Sequence, residues 1–185
     1  MAVEFISAVN VRDSDELNPK PGRGIEPEYL ASYARTLEAV GFDYTLVPYG
    51  SAGFDTFTVA AAIAAQTERI KPIVALRPNV IYPTVAAQAL ATIDQLSKGR
   101  AVVHIISGSS DAEQRRQGDY LDKDARYARS AEFIEILRRS FTEKQAFGFE
   151  GTYYRFDDFG PGFPTYSGGS TPISLGGSSA AAYKV

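Results

Sequence analysis

The sequence predicts an α/β fold in which strand–helix units build a parallel sheet. Three observations predict it. Short apolar runs recur between longer segments with helical spacing. Four such pairs follow one another in order, and a fifth strand follows the last. Gly, Pro and Asp punctuate the handovers, as expected at helix ends and turns.

The first unit opens with Glu4 to Val9 (EFISAV), a short buried strand. A polar, Pro/Gly-rich loop runs from Arg12 to Pro27. Glu28 to Val40 then places Leu30, Tyr33, Leu37 and Val40 three and four residues apart, a helical stripe, and Gly41 stops it. Tyr44 to Val47 is the second strand. Asp55 stands at the N-cap of an Ala-rich helix reaching about Gln66. Ile73 to Leu76 is the third strand, and Thr84 to Leu96 the third helix, with Val85, Ala89, Ile93 and Leu96 as its apolar stripe. Ala101 to Ile106 alternates poorly and is mostly apolar, as a strand covered on both faces should be. After a long loop, Arg126 to Phe141 is the fourth helix, with Phe133, Ile134, Leu137 and Phe141 inward.

The cycle then breaks. Phe147 to Phe156 (FGFEGTYYRF) alternates around Gly151 and reads as a β-hairpin. A low-complexity patch, Pro161 to Gly169, precedes a fifth strand, Pro172 to Leu175, and Gly176-Gly177-Ser178-Ser179 opens a fifth helix. This pattern fits an open doubly wound sheet or a (β/α)₈ barrel. The barely begun final helix favours an unfinished barrel, because a parallel strand is normally covered on both faces. The expectation is one domain over residues 1–185.

Composition narrows the function. With 44% hydrophobic and 22% charged residues and a net charge of −3, the chain reads as a soluble globular protein with no nucleic-acid partner. It has no cysteine and one histidine, His104, which argues against disulfides, thiolate metal sites and multi-histidine metal sites. The N-terminus lacks the pattern of a signal peptide, and no apolar run has membrane-spanning length. The expectation is a cytoplasmic protein with no membrane partner.

In either architecture, chemistry sits at the carboxyl ends of the strands. His104, near the end of the fourth strand, is either a satisfied core residue or a neutral imidazole bonding a cofactor ring. Ser107-Gly108-Ser109-Ser110 is either a flexible loop or a place where backbone approaches a ligand closely. Gly176-Gly177-Ser178-Ser179 offers free N–H groups to a phosphate, or is a turn built for geometry alone. Asp55 is a helix cap or a ligand contact. Arg126-Tyr127 is an ordinary amphipathic helix start or reaches an anion with guanidinium and hydroxyl. No carboxylate pair, nucleophile elbow or Ser/His/Asp triad can be assembled. A cofactor that carries the chemistry is therefore favoured.

Three stretches together resemble the bacterial-luciferase-like flavin monooxygenases, most nearly the alkanesulfonate monooxygenase type. They are ALRPNVIYPTVAAQALATIDQLSKGRAVVHIISG (Ala75 to Gly108), LDKDARYARSAEFIEILRRSF (Leu121 to Phe141) and PISLGGSS (Pro172 to Ser179). The resemblance implies a (β/α)₈ barrel of the luciferase-like type, matched here over its first five strands. It implies reduced FMN, or in some branches F420, at the carboxyl face. The implied cofactor contacts are Asp55, His104 and Ser107 near the ring, and Arg126, Tyr127, Gly177 and Ser178 near the phosphate. The chain departs from sulfonate-cleaving members in two places. Gly50-Ser51-Ala52-Gly53-Phe54 lacks their cysteine, and Asn10 stands where they carry histidine. The family's catalytic His, Arg and Tyr of later strands have no counterpart here, so the catalytic residues stay unassigned.

The implied function is a monooxygenase that uses reduced FMN and O₂ on a small organic substrate. An alkanesulfonate, giving aldehyde and sulfite, is the leading example. Arg77 is either an attractor of anionic substrate or a strand-end surface charge. A separate flavin reductase and a homo-oligomer are the expected partners. The alternatives are an F420-dependent oxidoreductase of the same superfamily, and a non-catalytic half-barrel that needs a partner to complete its sheet.

Overall fold

Five strands pair in parallel in a single sheet whose order follows the chain, with a separate hairpin inserted before the last. The five are β1 (Ile6–Ala8), β2 (Tyr44–Val47), β3 (Lys71–Leu76), β4 (Val102–Ile106) and β7 (Ile173–Gly176). The computed structural model describes all residues except Met1, Ala2, Asp15, Glu16, Asn18, Lys20, Arg23, Ser109 and Pro161. The strand order decides between the two architectures left open above. A doubly wound sheet reverses direction at a switch point. This one advances without reversal, as barrel strands do. Among the described residues β1 and β7 each keep one free edge, so the sheet is an open arc of a barrel rather than a closed one.

The helices α1 (Pro27–Ala39), α2 (Thr56–Gln66), α3 (Pro83–Ser97) and α5 (Lys123–Thr142) pack in sequence along the sheet. Strand side chains alternate between faces. Val47, Val74, Leu76, Val103 and Ile105 join Leu30, Ile63, Leu90, Phe133 and Leu137 in one buried core. The register places Ala75, His104 and Ser174 in one row on the opposite face.

Several sequence expectations change. The stripe expected on α3 is misplaced. Val85 and Leu96 are about half exposed, while Ala86, Ala87, Leu90, Ile93 and Ser97 are buried. Small alanines let the helix lie close to its neighbours, and buried Asp94 is satisfied because it accepts the Tyr166 N–H at 2.8 Å. The long loop after β4 holds a helix of its own, α4 (Asp111–Arg115), capped by Ser110. The fourth predicted helix starts at Lys123, with Asp122 accepting from the Ala125 N–H, so Arg126 lies inside it. The expected fifth helix is represented by a 3₁₀ turn, Ala182–Lys184.

The hairpin forms as β5 (Phe147–Glu150) and β6 (Arg155–Phe159). It is docked rather than pendant. Glu132 on α5 accepts the N–H groups of Thr152, Tyr153 and Tyr154, and the Tyr154 hydroxyl donates to the Pro78 carbonyl at 2.7 Å.

Candidate functional site

Because β3, β4 and β7 are neighbours, the residues that follow them converge at one edge of the sheet. Arg77, Ser107-Gly108 and Gly177-Ser178 line a cleft of about 590 Å³, floored by Ile106 and Gly176. The first turns of α5 supply its wall, Lys123 and Tyr127. Among the described residues the lining carries two cations, Arg77 and Lys123, and no carboxylate. Lys123 is exposed and has no ion-pair partner among the described residues. Ser109 lies outside the described residues.

The chain reaches this shape through two close approaches. Gly108 has φ +80°, and a Cβ there would collide with the amide of buried Gln114, so only glycine fits. At Gly177 a Cβ would run into the Tyr127 hydroxyl and lie 2.7 Å from the Ala182 Cβ. Glycine there lets the tyrosine stand against the β7 backbone.

Arg126 is placed differently from its expected role as a direct anion contact. Its guanidinium is buried and donates to the carbonyls of Ser107 (3.1 Å), Leu121 (2.7 Å) and Gly108 (3.4 Å), and pairs with Asp111 at 2.9 Å. It clamps the loop that forms the cleft wall from behind. Ser107 is also turned inward. Ser130 donates to the Arg126 carbonyl, so the Ser107 hydroxyl donates to Ser130, at 2.9 Å.

Arg77 is 4% exposed. Its Nη2 donates to Glu113 at 2.7 Å, and its guanidinium carbon lies 4.9 Å from the centre of the Tyr49 ring. Nε and Nη1 have no hydrogen-bond partner among the described residues. Glu113 also accepts the Ser51 N–H at 3.0 Å. That bond and Arg77 together hold its carboxyl below the usual range. Gln117 accepts from the Tyr49 hydroxyl at 2.6 Å, and burial raises that phenol's pKa. The loop after β4 is thus tied to the ends of β2 and β3.

His104 and Asp55 stand outside the cleft lining. The His104 imidazole lies on the sheet below it, with Nδ1 2.8 Å from the Ser174 hydroxyl. Ser174 donates to the Val103 carbonyl, so it accepts from an Nδ1–H and leaves Nε2 as an acceptor toward Gly176. Burial lowers the His104 pKa and keeps the ring neutral at pH 7. Asp55 caps α2 through the Thr58 N–H (2.7 Å) and hydroxyl (2.6 Å). It borders a second pocket of about 310 Å³, lined by Tyr49, Phe54, Leu76 and Ile81 among others.

Residues 4–185 match the family described as luciferase-like monooxygenase. The chain belongs to the luciferase-like monooxygenase family. Solved structures agree on the fold. EDTA monooxygenase from Chelativorans sp. BNC1 superposes with a TM-score of 0.80 at 20% identity, over 97% of this chain and 50% of that one. The F420-dependent tetrahydromethanopterin reductase from Methanopyrus kandleri gives 0.78 at 18% identity, over 97% and 51%. The oxygenating constituent of 3,6-diketocamphane monooxygenase from Pseudomonas putida, in complex with FMN, gives 0.75 at 18%, over 95% and 51%. This luciferase-like chain therefore spans about half the length of the structures it matches.

For a luciferase-like protein the donor set of the cleft fits a phosphate-bearing group. It offers two cations, the hydroxyls of Tyr127, Ser178 and Ser179, and backbone laid bare by glycine. The sequence missed Lys123, Glu113 and Gln117. Lys123 was detectable as the residue after the Asp122 cap. Glu113 stood three residues after Ser110, the spacing of a capping box, but that spacing signals a helix start and not a pairing with Arg77.

Proposed function

We propose that this chain supplies a cofactor-binding part of a flavin-dependent monooxygenase, with the flavin phosphate held in the cleft between β4, β7 and α5. The observation that carries the reading is the cleft itself, a cationic pocket at the carboxyl ends of adjacent parallel strands, without carboxylates among the described residues. Tyr127, Gly177 and Ser178 would take the phosphate, with Lys123 adding charge. Arg126 and Ser107 act behind the wall, holding the loop in place. His104 and Asp55, one on the sheet below and one at the neighbouring pocket, would face the ring system. His104 presents a neutral acceptor there. Reduced FMN, when bound, supplies the electrons that activate O₂. The chain's residues bind and orient it and keep water out.

In its finer form the reaction takes an alkanesulfonate and yields aldehyde and sulfite, with a separate flavin reductase supplying reduced FMN and a homo-oligomer as the assembly. F420 is the alternative cofactor, favoured by the equally good superposition on an F420-dependent reductase. It too carries a phosphate.

The test is equilibrium binding of FMN, reduced FMN under anaerobic conditions, F420 and riboflavin. Tight binding of FMN or F420, with riboflavin about tenfold or more weaker for lack of the phosphate, is the expected result. Equal binding of riboflavin and FMN would overturn the phosphate assignment, and no binding of any of them would overturn the cofactor reading.

A further inference from the structure

Arg77 is more buried than a substrate-gathering surface charge would be, and less satisfied than a structural one. Arg126 and Arg100 show what a structural arginine looks like in this chain. Arg126 makes three bonds to carbonyls and an ion pair, and Arg100 bonds the carbonyls of Ala64, Thr67, Ile70 and Ser97. Among the described residues Arg77 has one hydrogen-bonded partner, Glu113, on one nitrogen. Leaving buried donors without acceptors is costly, and native proteins seldom do it without a reason. Nη2 carries two hydrogens. With one on Glu113, the other still shares an edge with a neighbouring nitrogen, and such an edge matches two oxygens of an oxyanion. Tyr49 supports the face of the guanidinium, and Glu113 is itself fixed by the Ser51 N–H. The receptor is therefore set before any ligand arrives.

We propose that Arg77, preset by Glu113 and Tyr49, is an oxyanion receptor in the cleft that takes the carboxylate or sulfonate head group of a small organic substrate, apart from the flavin phosphate. The second half of this statement rests on the flavin reading above, and the first half does not. Lys123 and the Gly177-Ser178 turn serve one anion on the β7 side of the cleft, and Arg77 serves another at the end of β3. Glu113 balances the arginine's charge in the free protein and fixes its direction. It is a positioning residue rather than a ligand.

The experiment uses methanesulfonate as the probe and the Arg77 Nε–H resonance as the readout, assigned by its absence in Arg77→Lys. Methanesulfonate should move this signal saturably. The double variant Arg77→Met with Glu113→Gln leaves no orphan carboxylate, and it should bind methanesulfonate about tenfold or more weakly. Glu113→Gln alone should bind at least as well as the parent, because a competing negative charge is gone. An unmoved Arg77 signal overturns the proposal. So does undiminished binding by the double variant, or a loss in Glu113→Gln as large as in the double variant. Saturating FMN beforehand separates the two anion sources. Undisturbed methanesulfonate binding supports a distinct substrate head group, whereas its abolition assigns Arg77 to the flavin phosphate and overturns the separate site. If methanesulfonate binds at Arg77 while neither FMN nor F420 binds at all, the receptor stands and the flavin reading falls.

Discussion

The Tyr127 hydroxyl occupies the space that a side chain on residue 177 would need. Helix α5 and the turn after β7 therefore meet through a tyrosine and a glycine, both of which line the cleft. Gly177→Ala forces the tyrosine or the turn to shift. Such overpacking costs about 2 kcal/mol. The expected outcome is a lower urea midpoint together with weakened FMN binding. Tyr127→Phe in the same chain removes the first collision but leaves the Ala182 Cβ at 2.7 Å, so it should restore stability only in part. Full tolerance of Gly177→Ala, in both measurements, would contradict the contact.

Arg126 separates a wall-building role from a ligand role. Its guanidinium is spent on three carbonyls and Asp111. Arg126→Met leaves those buried acceptors empty and should destabilise the chain by about 1–3 kcal/mol. Asp111→Asn should cost under about 1 kcal/mol, because that carboxylate is 64% exposed. A direct phosphate ligand behaves otherwise. Arg126→Met would then leave the denaturation midpoint nearly unchanged and lower only FMN affinity.

What could be read from the sequence follows from which forces are local. Caps and breakers act within a few residues, so Asp55, Gly41 and the strand–helix alternation were legible. Strand order was not, because the same apolar runs satisfy a reversing or an advancing sheet. The α3 stripe was misjudged because Val85 and Leu96 look more hydrophobic than Ala86 and Ala87, while the packing distance favours the small residues. The positions around the cleft were legible from the rule that strand carboxyl ends carry function. The direction of each side chain was not. Arg77 directly follows β3 and Arg126 sits in the first turn of α5, yet one lines the cleft and the other stands behind its wall.

His104 is the only histidine, so its titration can be followed by NMR without assignment. Burial holds its pKa below the ordinary 6.5. The unfolded chain then binds more protons than the folded one as pH drops. The stabilisation is present above the unfolded value and is lost as pH falls through about 6.5 toward the lower folded value. The folded protein should titrate below 6.5 in the free state, with Nδ1 carrying the proton in the neutral form. His104→Gln should flatten the stability profile across that window. A titration at or above 6.5 would show that the ring is better solvated or paired than the Ser174 contact allows.

Asp119 and Arg129 form a buried pair that ties the end of the loop after β4 to α5. The two carboxylate oxygens accept from the two terminal nitrogens of Arg129, and the Asp119 side chain is 1% exposed. Burial alone would raise its pKa, but the bonds from Arg129 outweigh burial and the net shift is downward. For a carboxylate depressed in this way, the contribution to stability is complete above the unfolded value near 3.9 and fades as pH falls through the folded value. The protein should therefore lose stability on acidification below about pH 4. Asp119→Asn should blunt that acid limb while lowering stability at pH 7 by about 3–5 kcal/mol, since it leaves a buried guanidinium unbalanced. Arg129→Met should also destabilise at pH 7, but with a different pH signature. The stranded carboxylate then has its pKa raised by burial, so stability should improve as pH falls from 7 toward 5. Parallel acid limbs in the parent and in Arg129→Met, measured by urea denaturation across that range, would rule out the pair as the source of the pH dependence.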